Sequence, residues 1–244
     1  MGKKYKNKLC VYCSEALSTA GEHILAKEFF LKNQRANLPK APSCNKCNGD
    51  KSQLENYLTA IMPFAGRHDD ALENLTQMVP ARLAKNKKVK RQLASQMKKV
   101  WILRDSGIYA KQTVFKFEGQ MVIQLFKYIV RGIFWYHCHQ VLSRNTIVEV
   151  LALTKYGKEY FDKHFFSVDS FDAYSGNYGS GTISYRGVRD PSNPEFTCWL
   201  FSFYAGIQMY EASVSQNEIS DQIGAITFPE NLVLRAKEAS MEET

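Results

Sequence analysis

Behind Asn48, apolar residues recur at Leu54, Tyr57, Leu58 and Ile61, three or four positions apart, until Pro63 closes the run. That period predicts a helix. The segments ahead of it are less regular. Leu9 to Tyr12 predicts a short strand, and HILAKEFFLK (residues 23–32) satisfies strand and helix patterns alike. PFAGRHDDA (63–71) carries turn residues. Next, RLAKNKKVKRQLASQMKKVW (82–101) predicts a basic helix with Leu83, Val89, Leu93 and Met97 toward one side. YAKQTVFKFEG (109–119) alternates as a strand does. Over residues 120–142, Gln124, Lys127 and Arg131 share one side and Leu125, Ile129 and Ile133 the other, which predicts an amphipathic helix. YGKEYFDKHFF (156–166) predicts a further helix. Strands are expected over 182–188 and 195–214, split by Asp190, Pro191, Asn193 and Pro194. EASMEET (238–244) is expected to fray. These elements predict an α+β chain in three parts: 1–65 with short elements around cysteines, a basic helical linker over 66–105, and an α+β domain over 106–244.

Composition permits a real core, since 45% of the 244 residues are hydrophobic. Charge adds more. The formal net charge of +8 is uneven: residues 1–104 hold 20 Lys and Arg against 8 Asp and Glu, whereas residues 105–244 hold 12 against 16. No acidic residue occurs from 74 to 104. A basic N-terminal half predicts a polyanionic partner, with a solvated basic surface as the alternative. The opening MGKKYKNKL has no apolar run behind it, and Lys6 stands where a myristoylation signal needs Ser or Thr, so neither a secretory signal nor a lipid anchor is expected. Lys127, Arg131 and His137 interrupt the most apolar stretch, Met121 to Leu142, so no membrane span is expected. The expectation is a soluble cytoplasmic protein whose paired cysteines bind metal rather than each other.

Cys10-x-x-Cys13 and Cys44-x-x-Cys47 have the spacing of two knuckles, each turning two thiolates toward one ion. Two knuckles supply the four ligands of a structural zinc site; an iron–sulfur cluster and buried, unligated thiols are the alternatives. Four sulfur ligands leave zinc no open position, so any chemistry must come from the chain around the knuckles. There the sequence offers Glu22-His23, Asn37-Leu38-Pro39 and Asn48-Gly49-Asp50-Lys51-Ser52.

Over about residues 8–60 this order resembles the HNH endonucleases: cysteine knuckles, an acidic residue joined to His, a central Asn, and a second knuckle followed by Asn and Lys. The resemblance implies a hairpin and helix around one catalytic divalent ion, the ββα-metal arrangement. It implies that His23 is the general base, that Glu22 and Asn48 hold Mg²⁺ or Mn²⁺, and that Asn37 orients His23. Lys51, one turn along the helix, would hold a phosphate oxygen. The chemistry suits these types, because imidazole titrates near working pH and carboxylate and amide oxygens are hard donors. The sequence departs from the pattern in two places. Asn48 stands where many members carry His; Asn is an accepted variant there, as in the Asn-x-Gly-Lys-Ser run of the nicking domain of RNA-guided nucleases. Asn37 lies further than usual from the second knuckle, with Pro39 and Pro42 between. Taken singly, Asn48 also reads as a helix cap and His23 as a structural histidine.

Other polar groups read as structural. Arg67 and His68 belong to a turn, His137, Cys138 and His139 diverge around a helix, and Cys198 sits in an apolar strand. Trp135, Tyr136, Trp199 and Tyr204 are expected in the core or an interface, and no nucleotide-triphosphate loop is present. The expected function is metal-dependent cleavage of DNA, with structural zinc and catalytic Mg²⁺ or Mn²⁺. The alternatives are a non-catalytic zinc-stapled nucleic-acid-binding regulator, or a defence or toxin effector held by a partner. Residues 106–244 would supply a homodimer interface or bind that regulatory protein.

Overall fold

The computed structural model of the chain describes residues 4–103, 106–115, 118–206 and 219–230. The expected acidic tail and the end of the expected strand over 195–214 lie outside these residues. The architecture is mixed α and β.

The N-terminal elements are short because the chain turns around cysteines. Leu9 and Leu17 form an isolated antiparallel bridge, and Cys10 to Cys13 make the turn inside it, so the expected strand over Leu9 to Tyr12 is only this bridge. Strand β1, Ala20–His23, pairs antiparallel with β2, Lys40–Ser43. Between them HILAKEFFLK is neither strand nor helix beyond His23; it makes single turns of 3₁₀ helix at Lys27–Phe29 and Lys32–Gln34. These turns bury Phe29 and Phe30.

Helix α1, Asn45–Ile61, follows β2 at once, with Cys44 as its cap. The Cys44 sulfur accepts the Cys47 N–H at 3.5 Å, as an oxygen would at an ordinary N-cap. The basic region is two helices rather than one after a short α2, Asp69–Glu73. Helix α3 spans Val79–Lys85 and α4 spans Lys87–Gln96. Asn86 breaks them because its side chain caps α4, accepting from Val89 N–H at 3.2 Å. Val89 and Leu93 are buried as expected. Met97 is not: the helix stops at Gln96, and Met97–Leu103 is strand β3, paired with β4, Tyr109–Phe115. Val100, Trp101 and Ile102 suit a strand, and pairing with β4 outweighs the helical period ahead of them.

Helix α5, Gly119–Cys138, buries Leu125, Ile129 and Ile133 among others. The C-terminal sheet has five antiparallel strands: β5 (Thr146–Thr154), β6 (Asp172–Tyr178), β7 (Ile183–Arg189), β8 (Thr197–Phe203) and β9 (Ile219–Pro229). Their order is β5-β9-β8-β7-β6. Helix α6, Lys155–His164, packs on the other face of the sheet. Alternation along β8 explains both contacts: Trp199, Phe201 and Phe203 join the core that includes α5, whereas Cys198 and Leu200 join Phe161 of α6. Phe126 of α5 meets Phe201 edge-on at 5.3 Å between ring centres.

The core does not stop near residue 105. One continuous cluster joins Ile24, Leu25 and Leu58 to Leu125, Ile129 and Ile133 of α5 and on to β8. Gly132 makes a close crossing, since a Cβ there would lie 2.8 Å from Ile24. Phe29 packs edge-on against Phe203 at 5.4 Å, and Asn74 donates to the carbonyls of Glu28 and Phe29, each at 3.1 Å. The N-terminal hairpin is therefore seated on α5 and on the end of β8. Among the described residues no helix is long and apolar enough to cross a membrane.

Candidate metal centre and active site

The sulfur atoms of Cys10, Cys13, Cys44 and Cys47 all lie within 4.8 Å of one another. Sulfurs at the corners of a tetrahedron with metal–sulfur bonds of about 2.3 Å stand roughly 3.8 Å apart, so the cluster fits one structural metal ion such as zinc. The backbone is arranged for thiolates. Cys44 N–H donates to the Cys10 sulfur at 3.3 Å, beside the Cys47 N–H on Cys44. Burial opposes charge on Cys13, but the backbone N–H groups of Ala16 and Glu15 draw it down to about 7. Burial and the neighbouring sulfurs push Cys47 far up. Four thiolates at this distance repel one another, and a cation in their midst removes the conflict. Because Cys44 also caps α1, the cluster fixes where α1 begins.

One side chain of α1 reaches β1. Lys51 is fully buried, and its ammonium donates to the backbone carbonyl of His23 at 2.8 Å and to the carboxylate of Glu55. Lys51 thus lies behind His23, tied into the protein, and does not present a free cation to a phosphate. Asn48 lies one turn before it on the same side of α1 and is half-buried. Among the described residues the Asn48 amide makes no side-chain hydrogen bond.

Glu22 and His23 are neighbours at the end of β1, opposite Ala41 and Lys40 of β2, and both are half-buried. Adjacent positions on a strand point to opposite sides, but β1 ends at His23. Burial, with the positive charges of Lys40, Lys27 and Lys51, lowers the His23 imidazole to about 4, so the ring is neutral near neutral pH. Burial raises the Glu22 carboxyl, against the pull of Lys51. Burial likewise pushes Glu55 up to about 7, against Lys51 beside it.

Asn37 is elsewhere. It sits exposed in the turn before β2 at φ 59°, a left-handed conformation that Asn tolerates better than most residues. Among the described residues no hydrogen bond joins it to His23. The four cysteines are the only group of three or more His, Cys, Asp and Glu side chains among the described residues close enough to share an ion. Glu22 and Asn48 could offer at most two hard oxygen donors between them. Such a pair suits Mg²⁺, which keeps several waters and takes one or two protein oxygens together with substrate phosphates.

Sequence reasoning missed two residues here. Glu55 holds the Lys51 ammonium, and its spacing of four from Lys51 on a helix was the available signal. Tyr12 is buried with its hydroxyl unpaired, and burial, then the charges of Glu22 and Glu55, raise its pKa. Nothing in the spacing of Tyr12 inside the first knuckle pointed to that position. His137, as expected, is structural: it bonds the Tyr185 hydroxyl at 2.9 Å and stacks on Trp199. No protein family, curated protein or solved structure matches the chain.

Proposed function

We propose that this chain is a metal-dependent endonuclease of HNH type that hydrolyses phosphodiester bonds in DNA. The observation that carries the reading is the bond from the Lys51 ammonium to the His23 carbonyl at 2.8 Å. It ties α1, the helix that carries Asn48, to the end of β1, the strand that carries Glu22 and His23. The sulfur cluster fixes the N-terminus of the same helix through Cys44 and Cys47, as the surroundings of a catalytic site must.

In this reading the neutral His23 ring takes a proton from the water that attacks phosphorus. Glu22 and Asn48 hold Mg²⁺ or Mn²⁺. When bound, such an ion polarises a phosphoryl oxygen and stabilises charge on the leaving oxygen. Lys51 is a positioning residue, since Glu55 and the His23 carbonyl occupy its ammonium. Phosphate contacts then fall to the exposed lysines of α4, and Asn37 serves the turn. Zinc at the four cysteines holds the fold and takes no part in the reaction.

One observation favours a second reading, a zinc-stapled nucleic-acid-binding regulator. No third His, Cys, Asp or Glu among the described residues joins Glu22 and His23 around an ion. Relaxation of supercoiled plasmid with Mg²⁺ or Mn²⁺ separates the two. The nuclease reading expects cutting by the wild type and a loss of about a hundredfold or more in His23→Ala at equal zinc content. Binding with no cutting by either protein would favour the regulator.

A further inference from the structure

Between α4 and α5 the chain makes a two-stranded ribbon, β3 and β4, that pairs with no other described strand. Alternation sorts its side chains into two faces. Val100, Ala110 and Val114 lie on one face and are half-buried. Lys99, Trp101, Leu103, Tyr109 and Lys111 lie on the other and are exposed. Trp101 is 66% exposed and Tyr109 64%, high values for aromatic side chains. Trp101 stands opposite Lys111, and Leu103 opposite Tyr109, so the two aromatic residues are diagonal neighbours. The Lys111 ammonium lies 5.9 Å from the Trp101 ring centre.

Charge decides what covers this face. Four basic residues of α4 lead into Lys98 and Lys99, and no acidic residue occurs from 74 to 104 or from 109 to 115. A second copy of the ribbon would bring like charge against it. A polyanion is complementary, and exposed rings beside lysines are the parts of a base-stacking platform. The ribbon also has a fixed root. Gln96, the last residue of α4, accepts from the Tyr57 hydroxyl of α1 at 2.9 Å and donates to Glu118 at 3.1 Å. From these features we infer that the ribbon grips single-stranded nucleic acid. Trp101 and Tyr109 stack on unpaired bases, and Lys99 and Lys111 follow the phosphates. The Gln96–Tyr57 bond holds the gripped strand at a set place relative to β1, β2 and α1; this last step rests on the nuclease reading.

The test is fluorescence anisotropy with a labelled oligo(dT) and a duplex of equal length, using full-length His23→Ala protein so that binding is read without cleavage. Adding Trp101→Ala is expected to weaken oligo(dT) binding about tenfold and duplex binding much less. Adding Lys99→Gln and Lys111→Gln is expected to flatten the slope of log affinity against log salt by about 1.4. All these side chains are exposed, so thermal melting should match the parent protein. Unchanged oligo(dT) affinity in Trp101→Ala overturns the inference. So does equal weakening on duplex, or a change of sedimentation from dimer to monomer with binding intact. A parent protein that holds oligo(dT) through Trp101, while the wild type never cuts, leaves the ribbon standing and removes the nuclease.

Discussion

Lys51 carries the most consequence of any single residue. Its ammonium has left water entirely, and the His23 carbonyl and the Glu55 carboxylate replace the lost hydration. Removing one member of a buried pair strands the other, at a cost of about 3–5 kcal/mol. Lys51→Met should lower unfolding free energy by that order in urea titration. The double variant with Glu55→Gln should lose less than the two single losses combined, because the stranded charge is gone. Additive losses would show that the pair is not coupled. Part of this was legible: Cys10, Cys13, Cys44 and Cys47 declared a shared ion by spacing alone, and they do converge. The direction of Lys51 was not legible. A lysine in the first turns of a helix points to solvent or to the interior according to what packs beside it, and β1 comes from a segment nearly thirty residues earlier.

Among the elements, α5 is the one on which both halves rest. Gly132 lets Ile24 approach to a distance that a Cβ would occupy. Gly132→Ala should destabilise the protein by about 1–3 kcal/mol through overpacking, despite the better helix propensity of Ala. Circular-dichroism melting checks this, and a rise in the midpoint would show that β1 yields freely. Across the sheet, Asp162 of α6 pairs with Lys158 at 2.8 Å and with Arg186 of β7. Burial opposes its charge, but the Lys158 hydrogen bond and the Arg186 charge hold its pKa below the usual 3.8. A depressed folded pKa stabilises above the unfolded value and is lost as pH falls through the folded one. The melting midpoints of wild type and Asp162→Asn should therefore differ above pH 4 and converge below it. The helices α1, α5 and α6 were readable because their apolar period is unbroken. The switch from α4 to β3 was not, since Leu93 and Met97 keep a helical spacing across it. Strands β5, β6 and β9 also escaped the pattern. β6 is largely exposed and carries little alternation in hydropathy, and β9 is recruited by pairing with strands on both sides.

At the scale of the whole molecule, a four-cysteine cluster, a hairpin and α1 form a unit that is packed onto α5 and the end of β8 rather than standing apart. If one zinc per chain holds that unit, metal analysis should give about one equivalent, and Cys44→Ser should lose it. Removal of zinc by a chelator should then unfold the start of α1 and lower the melting midpoint of the entire chain, because the core is shared. Loss of zinc with an unchanged midpoint would make the cluster incidental to the fold. The uneven charge of the two halves belongs to this scale as well, and only the assembled chain shows that the basic α4 lies alongside α1. The central claim is that this unit brings Glu22 and Asn48 to one hard divalent ion beside His23. Anomalous scattering from crystals grown with Mn²⁺, recorded on both sides of the manganese edge, tests it most directly. A manganese peak between Glu22 and Asn48, separate from the four sulfurs, is the predicted result. Manganese found nowhere near those two side chains, in a crystal that cuts DNA when dissolved, would contradict the account.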